Sequence, residues 1–235
     1  MSELKKIQLF LLPFAGGSSA SFRKLLPYIS TQVEVVPVEY AGRGKRSGEP
    51  LIEDYDLFLE DAARQINEYV ETRQFAILGY SIGAAIAYDL IAKRCLKTQP
   101  IHAFMCARGS LKTTSKSQLF ADLSGQEFLQ KMEELGGMDE RILNNKRFLD
   151  IYMRPVKADY KIWSQFTYCE KNQKLPCDIT AIYCSKDSLS DGITEWESMT
   201  DGKVDYYEMG HSHFFINQHY EEIARIINEH LKIYM

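Results

Sequence analysis

The sequence has few of the features that would place a protein in a membrane or on nucleic acid. Among its 235 residues the first apolar run, at 7–13, is too short and wrongly flanked for a signal peptide or a membrane span. The formal net charge of −4 gives no electrostatic reason to bind nucleic acid. Internal repeats and low-complexity tracts are absent. We therefore expect a globular protein that binds neither membranes nor nucleic acid.

The five cysteines show no pattern that would bind a metal or a cofactor. They form no C-x-x-C pair, and none combines with a histidine at a spacing typical of zinc sites. An odd number of cysteines without a secretion signal is typical of reduced thiols. We expect no metal, no cofactor and a cytoplasmic location. The cysteines are Cys95, Cys106, Cys169, Cys177 and Cys184.

Short apolar runs alternate with helix-like segments along the chain, and hydrophobic residues make up 45% of it. Helices that repeatedly follow strands are typical of a mostly parallel sheet covered on both faces. We therefore expect an α/β fold in a single domain that spans residues 1–235. Strands are predicted at 7–12, 33–38, 75–78, 101–106, 179–184 and 204–209. Helices are predicted at 22–28, 57–70, 84–90 and 218–233.

One region, residues 111 to about 175, breaks this alternation. It contains no convincing strand, and its patterns predict helices at 126–135 and 147–153. A helical insertion between two strands is a candidate for a lid or a substrate-binding cap. Phe128 and Met132 lie there among apolar residues that could line an acyl tunnel. The alternative is a peripheral bundle in which the same residues only form core.

Residues 79–83 read G-x-S-x-G between an apolar run and a helix-like segment. The pattern is typical of a sharp turn from strand to helix, in which only small flanking residues avoid clashes. Such a turn would expose the Ser81 hydroxyl at the carboxyl end of a strand. The helix N-terminus beneath it could stabilise a developing oxyanion. The pattern predicts Ser81 as a nucleophile, and a turn without chemistry is the alternative.

A serine nucleophile needs an adjacent base. In this architecture an acid and then a histidine follow the serine along the chain. The loop after the last predicted strand contains His211 and His213, and their spacing does not separate them. A base on this loop would meet a serine from a parallel strand at the same edge of the sheet. The other histidines, in or beside predicted strands and helices, are His102, His219 and His230.

The acid is expected on a loop that follows a strand and precedes the histidine. Asp187 meets both conditions, because it comes just after the strand predicted at 179–184. A carboxylate there could orient the imidazole and stabilise its charged form. Asp178, before that strand, and Asp191, farther along the loop, are rivals.

An oxyanion hole needs two backbone donors. One is the N–H of the residue after the nucleophile, Ile82, and the other comes from the loop after the first strand. The glycine-rich residues 14–17 form such a loop. A phosphate-binding turn is the alternative, but the loop has neither the G-x-x-x-x-G-K-[ST] nor the G-x-G-x-x-G pattern.

Four further segments carry motifs. They are LPFAGG at 12–17, GRGKR at 42–46 followed by Glu49-Pro50, PVKADY at 155–160 and HFFI at 213–216. With the serine turn they resemble, in the same order, the motifs of type II thioesterases, the stand-alone editing enzymes of nonribosomal peptide and polyketide synthesis. The match covers nearly the whole chain, from about residue 7 to residue 220.

The resemblance implies an α/β-hydrolase fold with a helical lid and a catalytic triad of Ser81, Asp187 and His213. It favours this histidine because the family's histidine directly precedes two aromatic residues. It also implies oxyanion donors at the backbone N–H groups of Ala15 and Ile82. The implied substrate is an acyl or aminoacyl thioester on the phosphopantetheine arm of an acyl or peptidyl carrier protein. We take a monomer as the default state.

The chain departs from the family pattern in three places. Tyr80 precedes the serine where the family usually has histidine, and Lys157 replaces the arginine of the segment at 155–160. Residues 107–109 read ARG where the family usually shows a triplet like RAP. These changes affect the shape of the pocket rather than a catalytic group. We expect Phe14 and Tyr80, together with Phe128 and Met132 of the insertion, to border the substrate.

Carrier domains tend to be acidic, so a net-negative enzyme would need a local basic patch to bind them. Lys146 and Arg147 in the helical insertion are the first candidates for carrier docking, and a solvated charged face is the alternative. Further basic residues in or near this region are Lys112, Lys116, Arg154 and Lys157.

Three other functions fit the same residues. One is a medium-chain acyl-carrier thioesterase of fatty acid synthesis, and another is a small-molecule esterase of the same fold. A catalytically silent protein that only binds a ligand or a carrier domain is the third, although the intact serine, aspartate and histidine set argues against it.

Overall fold

The computed structural model describes residues 6–70, 74–109, 111–112, 120–123, 125–136, 146–169 and 174–235. At 146–148 and 150 it describes the backbone alone. None of the helices in these ranges combines the length and the apolar character that a membrane span requires.

Six parallel strands form one central sheet in the order β2-β1-β3-β4-β5-β6. Every residue of β1, β3 and β4 is buried, as expected for parallel strands covered on both faces. The α/β-hydrolase prediction is confirmed, and all six described strands are parallel. The strands are β1 Ile7–Leu12, β2 Val33–Pro37, β3 Phe75–Tyr80, β4 His102–Cys106, β5 Asp178–Tyr183 and β6 Val204–Glu208.

Helices cover both faces of this sheet. The α-helices are α1 Tyr55–Tyr69, α2 Ile82–Ala92, α3 Gly125–Glu134, α4 Lys146–Gln165 and α5 Ile216–Leu231. Short 3₁₀ helices occur at Ser19–Phe22, Leu26–Tyr28, Gly44–Arg46, Ser188–Ser190, Ile193–Met199 and Lys232–Tyr234.

Alternate residues of the strands belong to two hydrophobic cores, one on each face of the sheet. Phe10 and Leu12 of β1 belong to the core that α1, α2, α3 and α4 cover, whereas Leu9 and Leu11 belong to the core under α5. This alternation follows from the two-residue period of a strand. Helix α2 is buried at every position, because the sheet lies beneath it and other helices pack over it. The insertion between β4 and β5 therefore packs against the same face as α1 and α2.

The strand register brings distant loops together at one edge. Leu12 at the end of β1 lies opposite Gly79 of β3, so the loop after β1 adjoins the serine turn. Tyr183 at the end of β5 lies opposite Glu208 of β6, so the loops that carry the candidate acid and base are also neighbours.

One helix prediction was wrong, and another was too short. The helix expected at 22–28 is replaced by two short 3₁₀ helices, and Pro27 lies in the second of them. The helix expected at 147–153 continues to Gln165 through Pro155. Proline removes one backbone donor. Burial of Val156, Ile162 and other residues on one face of α4 compensates for this loss.

Candidate active site

Ser81 lies in a tight turn between β3 and α2. Its backbone has φ 57° and ψ −115°, an unfavourable conformation for a residue with a side chain. A Cβ on Gly79 would come within 2.3 Å of the carbonyl oxygen of Gly83, and one on Gly83 within 2.3 Å of that of Leu12. The Ser81 N–H donates to the Cys106 carbonyl at 2.8 Å, which ties the turn to β4. Packing and hydrogen bonding therefore hold the strained turn at the carboxyl edge of the sheet.

Three buried side chains form a connected set at this edge. His213 Nε2 lies 2.9 Å from Ser81 Oγ, and His213 Nδ1 lies 2.6 Å from Asp187 Oδ2. The Asp187 carboxylate also accepts the Leu189 N–H at 3.0 Å and the Ser190 hydroxyl at 3.4 Å. These bonds hold the carboxylate toward the imidazole. The arrangement can move a proton from the serine to the histidine and stabilise the imidazolium that results.

The rival residues lie elsewhere. His211 is exposed, and within the described part of the chain it makes no hydrogen bond to Ser81 or Asp187. Asp178 is the first residue of β5, at the strand end away from the serine, and it accepts the Lys203 N–H at 2.8 Å. Asp191 is exposed.

Two N–H groups of the loop after β1, those of Phe14 and Ala15, have no acceptor among the described residues. The Gly16 N–H donates to Asp159 at 2.7 Å, and the Gly17 N–H donates within its own loop at 2.8 Å. Among the described residues, the N–H groups of Ala15 and Ile82 have no hydrogen-bond acceptor. These two groups lie on adjacent loops at the edge that carries Ser81. Their placement is compatible with an oxyanion hole.

Tyr80 is fully buried beneath the loop that carries the histidine. Its hydroxyl donates to the His213 carbonyl at 2.6 Å and accepts the Ile216 N–H at 3.3 Å. Its ring lies 5.8 Å from that of Phe14 and 5.3 Å from that of Phe215. This position supports the histidine loop, and the expected contact of Tyr80 with substrate finds no support in it. Phe14 is half-buried and lies at the edge of the same aromatic cluster.

A cavity of about 250 Å³ lies directly beside the triad. Asp187 and His213 form one part of its wall. The residues that complete the wall are Phe120, Lys131, Glu134, Leu135, Lys186, Ser188, Leu189, His211 and Ser212. The insertion lines the cavity with both apolar and charged side chains, Phe120 and Leu135 beside Lys131 and Glu134. Such a mixture suits a substrate with an acyl group and a polar arm.

Phe128 and Met132, which were predicted to line a tunnel, are buried residues of helix α3 in the insertion. The Phe128 ring lies edge-on to that of Tyr160, with centroids 5.3 Å apart, and Met132 belongs to the same core. Phe128 also borders a second cavity of about 700 Å³ between the start of α3 and α4. The described part of the site therefore places neither residue in the wall beside His213.

The residues predicted to dock a carrier are only partly described. Lys146 and Arg147 begin α4, but their side chains lie outside the described residues, and Lys116 lies outside them altogether. Arg154 and Lys157 are exposed along α4 and border the second cavity.

One buried cation near the serine was not assigned a role from the sequence. The Arg108 Nε lies 3.5 Å from the Ser81 carbonyl, and its guanidinium lies 4.4 Å from the centre of the Trp163 ring. Burial lowers the pKa of Arg108 to about 10, while Tyr160 and Asp187 act in the opposite direction. The only sequence signal was its place in the triplet at 107–109, where the family pattern changes.

A parallel sheet with a serine turn after its third strand, an acid after its fifth and a histidine after its sixth is the arrangement typical of an α/β-hydrolase. A sequence model of the family described as "Thioesterase domain" matches residues 7–231. The chain therefore belongs to the thioesterase family, whose members hydrolyse thioesters. The prediction of a thioester hydrolase is confirmed by this match and by the relatives below.

Two curated relatives and one solved structure show the range of the family. The chain is 26% identical over 231 residues to thioesterase PikA5 of Streptomyces venezuelae, covering 97% of this chain and 82% of that protein. It is 28% identical over 214 residues to the medium-chain S-acyl fatty acid synthase thioesterase of Rattus norvegicus, covering 89% and 81%.

The solved structure is that of ClbQ from the colibactin nonribosomal peptide and polyketide pathway. It superposes with a TM-score of 0.89 at 27% identity, covering 98% of this chain and all of that one. Two further solved structures share the fold. They are the type II thioesterase BorB from the borrelidin biosynthetic cluster, with a TM-score of 0.83 at 24% identity, and the type II thioesterase YbtT from the yersiniabactin nonribosomal peptide and polyketide pathway, with a TM-score of 0.80 at 18% identity. The resemblance is confirmed at the level of the thioesterase family.

Proposed function

We propose that the chain is a serine thioesterase that releases acyl and aminoacyl groups from the phosphopantetheine arm of carrier proteins, and so unblocks nonribosomal peptide or polyketide synthases. The observation that carries the proposal is the connected set of Ser81, His213 and Asp187 on a thioesterase fold. Relatives from polyketide and peptide pathways, such as ClbQ and the gramicidin S biosynthesis protein GrsT of Aneurinibacillus migulanus, support the class of substrate.

The first half of the reaction forms an acyl-enzyme. His213 Nε2 takes the proton of Ser81 Oγ as the oxygen attacks the thioester carbonyl carbon. The carbonyl oxygen becomes an oxyanion, and the N–H groups of Ala15 and Ile82 donate hydrogen bonds to it. When the tetrahedral intermediate collapses, the C–S bond breaks. His213 gives its proton to the departing sulfur, which leaves as the thiol of the carrier arm.

The second half regenerates the enzyme. A water molecule gives a proton to His213 Nε2 and attacks the acyl carbon, and the same two N–H groups stabilise the second oxyanion. The bond between the acyl carbon and Ser81 Oγ then breaks, and the proton moves from His213 to the serine oxygen. Asp187 keeps the imidazole in the required tautomer throughout and stabilises its charged form.

The cavity beside His213 and Asp187 is where we place the end of the carrier arm and the acyl group. We treat residues 1–235 as one domain, in a monomer, with the insertion at about 111–175 as its lid. Carrier docking is assigned to Lys146 and Arg147 at the start of α4. Reversal of both charges should weaken the use of acyl-carrier substrates and leave small acyl thioesters unaffected, and an equal loss on both substrates would count against docking there.

Release of medium-chain acyl groups in fatty acid synthesis is a second candidate function. The similarity to the rat enzyme, slightly higher in identity than that to PikA5, supports it. A series of acyl-carrier substrates from acetyl to dodecanoyl separates the two functions. An editing enzyme should favour short or aminoacyl groups, whereas a chain-releasing enzyme should show a sharp preference for medium chains.

The decisive experiment measures release of acetyl groups from a phosphopantetheinylated carrier protein, with a p-nitrophenyl ester as the comparison substrate. Ser81→Ala should lower release by about 10⁴-fold or more, because triad members act as a unit. Ser198→Ala, an exposed serine on the Ile193–Met199 helix, is the matched control and should retain wild-type activity. Fast ester cleavage with an untouched carrier thioester would instead indicate a small-molecule esterase. Failure of Ser81 to react with a fluorophosphonate would indicate a silent binding protein.

A further inference from the structure

The carboxylate of Asp159, on helix α4, contacts the loop after β1, which carries the proposed oxyanion donor Ala15. Asp159 is fully buried, and its Oδ2 accepts the Gly16 N–H at 2.7 Å. Arg43, from the loop after β2, donates to both carboxylate oxygens, at 2.5 Å and 2.7 Å. Burial alone would lower the pKa of Arg43, but the charge and hydrogen bonds of Asp159 outweigh this and raise it. Two hydrogen bonds from Arg43 therefore fix the geometry of the pair.

The same helix also contacts Gly16 from a second side. Gly16 has φ +74°, and a Cβ built on it would lie 2.2 Å from Cγ2 of Val156. Val156 and Asp159 are three residues apart, so they lie on one face of α4. Helix α4 thus confines Gly16 by a packing contact and by a charge-assisted hydrogen bond.

These two contacts determine where the neighbouring N–H points. The Gly16 N–H belongs to the peptide unit that joins it to Ala15, so its direction fixes the rotation about the Ala15 Cα–C bond. The Gly17 N–H is already bonded inside the loop. Of the two N–H groups that remain, those of Phe14 and Ala15, the Ala15 group is the one next to the peptide unit that Asp159 holds. A hydrogen bond weakens steeply as its angle falls toward about 120°, and one misdirected oxyanion donor can cost about 10²-fold to 10³-fold in turnover.

We propose that Asp159, held by Arg43, is a positioning residue for the oxyanion hole, through which helix α4 sets the direction of the Ala15 N–H. The inference rests on the proposed function, because it requires an oxyanion at Ser81. It joins three of the sequence motifs, at 12–17, 42–46 and 155–160, in a single contact.

The substitution Asp159→Asn tests this inference with little change of shape. A carboxylate can accept from all three donors, whereas a carboxamide has one accepting oxygen and a donating NH₂ group. The NH₂ group must then face Arg43 or the Gly16 N–H, and at least one buried donor loses its acceptor. The substitution therefore weakens the contact between Arg43, Asp159 and Gly16 and leaves the three residues of the proposed triad untouched.

Asp89 provides a matched control. It is a second fully buried carboxylate, it accepts the Tyr55 hydroxyl at 2.7 Å and it pairs with Lys93 at 2.8 Å. It lies on the side of α2 that faces α1, away from the loop after β1. Asp89→Asn should destabilise the fold without changing the direction of the Ala15 N–H.

The experiment measures hydrolysis of an acetyl-N-acetylcysteamine thioester and binding of a trifluoromethyl ketone, which forms a tetrahedral adduct with an active serine. For Asp159→Asn we expect kcat to fall about 10²-fold with KM within about threefold of wild type, and the ketone affinity to fall by the same factor as kcat. The downfield proton NMR signal of the His213–Asp187 hydrogen bond should persist. Asp89→Asn should retain the wild-type kcat and ketone affinity.

A wild-type kcat in folded Asp159→Asn, a loss of the NMR signal, or an equal loss in Asp89→Asn would each overturn the inference. If Asp159→Asn does not fold, Val156→Ala provides the test instead. This variant keeps the contact between Arg43 and Asp159 but removes the packing contact with Gly16. A parallel fall of several-fold in kcat and ketone affinity would support the inference, and wild-type values would reject it. Failure of the proposed function would look different, since wild type would then hydrolyse neither thioester in a Ser81-dependent way.

Discussion

The loops at the carboxyl ends of the strands and the helical insertion contribute to the site in different ways. The loops bring Ser81, His213 and Asp187 into one hydrogen-bonded set, at positions fixed by the register of parallel strands. The described part of the insertion adds no hydrogen bond to these three side chains, but it supplies Asp159 to the loop after β1 and the Phe128 ring to the core. The sheet therefore positions the three side chains of the candidate site. The insertion holds the neighbouring loop after β1 and contributes to the core that covers this part of the sheet. Substitutions in the two regions should fail in different ways.

The largest effect is expected in the strand-end loops, from Asp187→Asn. The carboxamide would keep the shape but favour the wrong tautomer of His213, so kcat on a small thioester should fall about 10³-fold to 10⁴-fold. Stability should change little. Asp191→Asn, an exposed aspartate on the same loop, is the control and should behave as wild type. A fall of less than tenfold in Asp187→Asn would remove this residue from the triad.

The next effect is expected in the insertion, from Phe128→Ala. This substitution leaves a cavity against Tyr160 and should lower the free energy of unfolding by about 3 kcal/mol. Urea denaturation measures this loss, and kcat per folded molecule should stay within about tenfold of wild type. Leu129→Ala, at a half-buried neighbouring position, should cost less. A collapse of kcat at unchanged stability would place catalysis in the insertion and break the distinction between the two regions.

A third prediction uses the end of the sheet that lies away from the triad. His102 begins β4 and bonds to the Thr180 hydroxyl at 2.8 Å, and burial, followed by His230, lowers its pKa to about 4. An unfolded histidine titrates near pH 6.5. Between these values the unfolded chain binds a proton that the folded chain does not, so stability falls as the pH falls.

His102→Gln should remove this contribution. The loss of unfolding free energy between pH 7 and pH 5 should be about 2 kcal/mol smaller in the variant than in wild type. Urea titrations at the two pH values measure the difference. The pH profile of kcat should not change, since His102 lies far from Ser81. An altered kcat profile would show that the two ends of the sheet are coupled.

The smallest effect on kcat is expected from Tyr80→Phe. This variant tests whether a residue that supports the histidine loop matters as well as the three side chains of the site. The substitution leaves the His213 carbonyl and the Ile216 N–H without their buried partner, so kcat should fall about fivefold as the histidine loop loosens. Tyr234→Phe removes a similar bond, from the tyrosine hydroxyl to the Ile101 carbonyl, away from the site. Only the first substitution should affect kcat, and equal kcat in both variants would deny Tyr80 a role in holding the loop.

Local patterns predicted the strands because most are short apolar runs, and β1, β3 and β4 in the middle of the sheet are buried on both faces. The two differences from the predicted helices both involve a proline whose effect depends on tertiary packing. Pro27 lies inside the segment predicted at 22–28, and Pro155 lies just beyond the one predicted at 147–153. Around Pro27 the chain forms two short 3₁₀ helices, whereas around Pro155 the buried face of α4 keeps the helix intact. The sequence does not state which outcome applies.

The candidate site was predicted where roles follow from chain order and from position after a strand. The residues alone could not choose between His211 and His213, because the course of that loop depends on contacts with Tyr80 and Asp187. The contact of Asp159 with the loop after β1 spans 143 residues, and its pair with Arg43 spans 116. No local pattern encodes contacts over such distances, although the motifs that contain them were visible.

The separation of Ser81 and His213 by 132 residues also has a consequence for the folding of the chain. The groups of the site follow β1, β3, β5 and β6, so they meet only after the part of the sheet from β1 to β6 has assembled. Parallel pairings between distant strands form late, because closing long loops costs entropy before any contact is gained. Hydrolysis during refolding should therefore lag behind the recovery of helical signal. The recovery of catalytic activity then reports when the sheet is complete. A chain that stops folding before β6 has paired with β5 would be compact but inactive.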